Sequence, residues 1–119
     1  MIDRELLEAA AKAAGIEGVY GLASDDFYYQ GNTEGILTTL PNGQSYVWNP
    51  LTDDGDALRL AVKLGMCFGI APHRVALDKI SLAIAPGTAE VECLHAGDAY
   101  AASRRAIVMA AAEIGRDME

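Results

Sequence analysis

The sequence predicts an α+β fold in one domain, with an antiparallel or mixed sheet of four or five strands packed by about three helices. Three observations lead there. Apolar residues recur at helical spacing near both ends and in the middle of the chain, and two period-two runs flank tight-turn signals. The length of 119 residues and mass of 12.6 kDa suit one core and leave little room for a second. The order helix, hairpin, helix, strand, hairpin, helix lacks the regular crossovers and glycine-rich first turn of a doubly wound nucleotide fold.

The first helix is expected from about Asp3 to Ala14, with Asp3 as N-cap, Ile2 as a hydrophobic staple and Gly15 in the left-handed position after it. Its apolar face is Leu6, Ala10 and Ala13 or Ala14, so it permits close approach more than it supplies transfer energy. Ile16 to Leu22 reads as a short extended piece. Phe27, Tyr28 and Tyr29 follow, compatible with a strand or with a loop carrying aromatic anchors. Ile36–Leu40 and Gln44–Trp48 then flank Pro41-Asn42-Gly43, a hairpin signal because Asn-Gly favours positive φ. Asn49-Pro50 ends the second strand.

A second helix is expected from about Asp54 to Leu64, closed by Gly65, with Met66 to Ile70 extended beyond it and an edge or a break at Ala71-Pro72-His73. Ile80, Leu82 and Ile84 alternate, Pro86-Gly87 turns, and Val91 and Cys93 return with Glu90 and Glu92 outward. The last helix runs from an Asp98 cap to about Ile114, with Gly115 as its C′ residue.

Nine basic against seventeen acidic residues give a net charge of −8, which opposes direct binding to nucleic acid. Residues 1 to 56 hold ten acids and two bases, while the remainder holds seven of each, so the net charge resides in the first half. No apolar run reaches membrane-spanning length and the first residues are charged, so neither a membrane span nor a signal peptide is expected. Cys67 and Cys93, in apolar contexts, read as reduced, buried small hydrophobes in a cytoplasmic setting. With His73 and His95 they lack the compact ligand spacing of structural zinc, and no cofactor is implied.

Over Trp48 to Leu64 (WNPLTDDGDALRLAVKL) and Ala102 to Gly115 (ASRRAIVMAAAEIG), the chain resembles small proteins encoded by tailed phages and prophages. Its layout is also similar to that of the phage NinX-like group, with an alanine-rich first helix and a late amphipathic helix. The resemblance brings no catalytic assignment. It implies a bacterial host cytoplasm as the setting and a host or defence protein as the partner.

Asp53-Asp54-Gly55-Asp56 is the densest acidic motif. Helix capping and the positive end of the helix dipole account for it, whereas a metal site at Asp53, Asp54 and Asp56 would need ligands that spacing does not locate. Candidate protein contacts are Asp25, Asp26, Tyr28, Tyr29, Glu34 and Trp48, with Trp48 also suited to anchoring the hairpin. Arg104 and Arg105 read as a solvated or salt-bridging face, with one of them also a candidate for binding a carboxylate or phosphate. No nucleophile elbow or zinc-protease motif is present, and neither His95 with Asp98 nor Cys93 with His95 makes a persuasive catalytic pair. Three readings follow. The first is a non-enzymatic accessory protein that binds a host or defence protein, with a homo-oligomer also open. The others are an acidic nucleic-acid mimic and a small metal-dependent or nucleotide-processing enzyme.

Overall fold

Residues 2–23 and 34–118 are described by a computed structural model of the chain, so Asp25, Asp26, Tyr28 and Tyr29 lie outside the described residues. The elements are α1 (Asp3–Ala14), β1 (Val19–Leu22), β2 (Glu34–Thr39), β3 (Ser45–Trp48), α2 (Asp54–Lys63), β4 (Cys67–Pro72), β5 (Lys79–Ile84), β6 (Val91–Leu94) and α3 (Ala99–Asp117). The class is α+β, but the strands form two separate three-stranded antiparallel sheets, β1-β2-β3 and β4-β5-β6, in place of one sheet of four or five.

The physical reason for the split lies between β3 and β4. Pro50 cannot donate to a ladder, and the Asn49 side chain accepts from Leu51 N–H at 3.0 Å, so the chain turns out of the sheet into α2. When it becomes extended again at Cys67, its next partner in sequence is β5, which it pairs along its whole length. Each meander is thus satisfied by near neighbours.

Local rules place most element ends. The first hairpin turns at Asn42-Gly43, with Gly43 at φ 87° and Leu40 N–H donating to Gln44 O at 2.8 Å. Asp98 caps α3 by accepting from Ala101 N–H at 2.9 Å. Gly15, at φ 72°, closes α1. Two expectations change. Ile2, not Asp3, is the N-cap of α1, because Ile2 N–H donates back to Glu5 Oε1 at 3.1 Å. Gly115 is not a C′ residue, because α3 continues to Asp117.

The core is built on α1 against α3. Ala10, Ala11 and Ala14 of one helix and Ala106, Ala110 and Ala111 of the other are all buried. Small side chains let the backbones approach closely, and a Cβ added at Gly115 would lie 2.6 Å from the carbonyl carbon of Ala9. The first sheet packs on α1 and the second on α3, while α2 lies against α3. No helix among the described residues is long and apolar enough to cross a membrane.

Candidate functional site

The acidic motif at the start of α2 is a folding junction. Asp53 caps the helix by accepting from Asp56 N–H at 2.8 Å. Asp56 is fully buried. Its Oδ1 accepts from the Tyr46 hydroxyl at 2.6 Å and Arg59 at 2.8 Å, and its Oδ2 accepts from Asn49 N–H at 2.9 Å. One carboxylate therefore joins β3, the turn after it and α2. Burial, then the hydrogen bond to Asp56, raises the Tyr46 phenol above its ordinary value. Asn49 extends the junction by donating from Nδ2 to Glu34 O at 2.8 Å, and the Glu34 side chain is one of the groups that raise the Tyr20 phenol, after burial.

Asp54 pairs with Arg104 at 2.6 Å, and Arg104 also donates to Leu51 O at 2.8 Å. Arg105 pairs with Asp3 at 3.0 Å. The two arginines tie α3 to α2 and to α1. Trp48, at 5% exposure, belongs to the core and not to a contact surface. Among the described residues no group of three or more His, Cys, Asp or Glu is arranged to hold a metal ion. Beside the junction lies an open cleft of about 1050 Å³, between the end of α1, the first sheet and α2. Arg59, Lys63 and Glu17 line it together with the buried Asp56, which is paired with Arg59.

His95 and Ser81 form a contact that spacing does not reveal. Ser103 Oγ donates to Ala99 O at 2.8 Å, and Ser81 Oγ lies 2.8 Å from Ser103 Oγ and 3.0 Å from His95 Nε2. A consistent direction runs from His95 Nε2–H through Ser81 and Ser103 to the carbonyl. In that direction His95 donates and does not activate Ser81 as a base, and Ser81 is fully buried. The three residues come from β5, the turn after β6 and α3, which is why no local motif announces them.

The cysteines differ from each other. Cys67 is exposed, contrary to expectation, because β4 is an edge strand and its side chain lies on the face away from α3. Cys93 is half-buried with Sγ 3.8 Å from Met109 Sδ, and burial pushes its thiol up. A thiol reagent at neutral pH should modify one cysteine per native chain rapidly, with peptide mapping at Cys67, and the second only on denaturation. Equal rates at both positions would contradict this placement.

A groove of about 580 Å³ with a mainly apolar lining lies open between α2, β4 and the start of α3. Leu58 and Val62 of α2, Phe68 and Ile70 of β4, and Tyr100 of α3 line it, each between 46% and 72% exposed. Beside it runs the outer edge of β4, which pairs with no strand among the described residues and carries no charged residue (CFGIAP). Natural sheets ordinarily guard such an edge with charge, shortness or a cover. β6, at the opposite edge, is four residues long and carries Glu92. Comparisons of the chain with protein-family models, with curated proteins and with solved structures return no match.

Proposed function

We propose that the protein acts by binding protein, taking an extended polypeptide segment along the β4 edge and burying apolar side chains of that segment in the adjoining groove. The observation that supports this reading is the juxtaposition of five open apolar side chains with an uncharged strand edge. Two kinds of occupant suit such a surface: a host or defence protein, as the resemblance to phage and prophage proteins implies, and a second copy of this chain. The binding surface then differs from the acidic first half that the sequence suggests. The nucleic-acid mimic ranks below, because four of the described acids of that half are engaged locally: Asp3 with Arg105, Glu8 with Arg4, Asp54 with Arg104 and Asp56 with Tyr46 and Arg59. An enzyme centred on Asp53 to Asp56 also ranks below, since those carboxylates already serve the cap, the ion pair and the buried junction.

A photo-crosslinking residue at Val62, 72% exposed, tests the reading in cells that express the chain. Irradiation should give a polypeptide adduct that Ile70→Lys across the groove abolishes, with no corresponding adduct from a probe at Glu8 on α1. No adduct at Val62, or one indifferent to Ile70→Lys, would sink the proposal.

A further inference from the structure

Resting on that reading, the geometry points to the occupant: we infer that the β4 edge pairs antiparallel with β4 of a second copy of this chain, centred on Gly69, making one six-stranded sheet across a two-fold axis.

The hydrogen-bond phase of β4 is the first support. His73 N–H donates to Asp78 O at 3.0 Å, which continues the β4–β5 register and makes that pair a hydrogen-bonded one. Such pairs alternate along an antiparallel ladder, so Ala71, Gly69 and Cys67 face β5 with their backbone groups. Phe68 and Ile70 therefore direct both N–H and C=O outward. Pro72, the third outward residue, has no N–H and ends the usable edge. Two copies related by a two-fold axis through Gly69 bring Phe68 of each opposite Ile70 of the other, and each of these pairs exchanges both bonds.

Gly69 is the second support. It falls at the two-fold axis as a non-hydrogen-bonded pair, where Cα atoms approach to about 4.5 Å. Nothing among the described residues requires glycine there: its φ is not positive and a Cβ would meet none of their atoms within 4 Å. Glycine there keeps both faces of the joined strands uncrowded at the axis, and a small side chain such as cysteine still fits a pair at this spacing.

Area is the third. Five side chains at roughly 100 Å² of removable surface each give about 500 Å² per protomer. The β4 backbone edge and the groove walls bring this toward the roughly 800 Å² per partner of a standard interface. Pairing of identical edges is self-complementary, so the same strip meets itself. Charge sets the salt dependence. Each protomer carries −8 while the strip is uncharged, so screening relieves repulsion and association strengthens with salt.

Sedimentation equilibrium of the purified chain, at low and moderate salt, should give twice the 12.6 kDa monomer mass, with tighter association at the higher salt. Ile70→Lys, at an exposed position, should weaken it by about a hundredfold, while Val75→Lys in the β4–β5 loop should leave it unchanged. In a Cys67→Ser background, Gly69→Cys should form a disulfide-linked dimer on mild oxidation and Leu94→Cys on the β6 edge should not. A wild-type monomer at every concentration and salt, a dimer indifferent to Ile70→Lys, or linkage through Leu94→Cys in place of Gly69→Cys would overturn the inference. The Val62 adduct separates the two proposals: a monomeric chain that still crosslinks to a different protein there removes the second copy and keeps the binding surface, whereas no adduct removes both.

Discussion

Gly115→Ala should destabilise the fold by about 2–3 kcal/mol, even though alanine is the better helix former by about 1 kcal/mol in isolation. A Cβ at this position overlaps the backbone carbonyl of Ala9, with the carbonyl carbon at 2.6 Å and Cα at 3.1 Å. A flexible side chain could swing aside; a carbonyl in the middle of α1 cannot. The helices must separate instead, and the contact they lose joins Ala10, Ala11 and Ala14 to Ala106, Ala110 and Ala111, where close approach is the main source of packing energy. Gly115→Leu should cost more than 4 kcal/mol and leave little folded protein, given the 5–15 kcal/mol total of ordinary domains. Urea denaturation followed by circular dichroism reads both, with Glu113→Ala on the exposed side of the same turn as control. Ala9→Gly should give no rescue, because the collision is with main-chain atoms. A neutral or stabilising Gly115→Ala, or full rescue by Ala9→Gly, would show that α1 and α3 are not in the described contact.

The same glycine marks the boundary of what the sequence reveals. At the end of an amphipathic run, glycine reads as a C′ residue by local rule, and Gly15 obeys that rule at φ 72°. Gly115 is selected by a helix about a hundred residues away, and no local pattern reports that. The Asn42-Gly43 turn and the Asp98 cap were legible because each is decided by two or three adjacent residues. The division into two sheets was not, since alternation predicts strands but not which edges meet. Cys67 in an apolar stretch looked buried, yet it lies on a sheet edge that tertiary pairing leaves open. For the candidate surface, the sequence supplied Leu58, Val62, Phe68 and Ile70 as apolar positions on a helix and a strand. It gave no sign that their outer sides face one groove, because a core stripe and a docking stripe have the same period.

Asp56→Ala should cost about 3–4 kcal/mol and lower the melting temperature by on the order of 10 °C or more. Removing the carboxylate leaves the buried Asn49 N–H without its acceptor and takes a strong partner from the half-buried Tyr46 hydroxyl, while Arg59 stays mostly in solvent and loses little. The large effect thus comes from leaving partners unpaired and not from the surface part of the ion pair. Asp56→Asn should recover only part of the loss. An amide offers one acceptor oxygen, and its NH₂ must then face either Asn49 N–H or the Tyr46 and Arg59 donors. The junction also fixes the sign of an alkaline dependence. The Tyr46 phenol is raised from 10.0 in the folded state, so the stability it confers is complete below about pH 10 and is lost as the pH rises beyond it. Tyr46→Phe should flatten that decline, because the unfavourable phenolate no longer forms beside Asp56. Thermal unfolding of wild type, Asp56→Ala, Asp56→Asn and Tyr46→Phe between neutral and alkaline pH measures all of this. A loss below about 1 kcal/mol for Asp56→Ala would mean that α2 is held to the first sheet by apolar contacts alone, and an unchanged alkaline slope in Tyr46→Phe would assign the titration elsewhere.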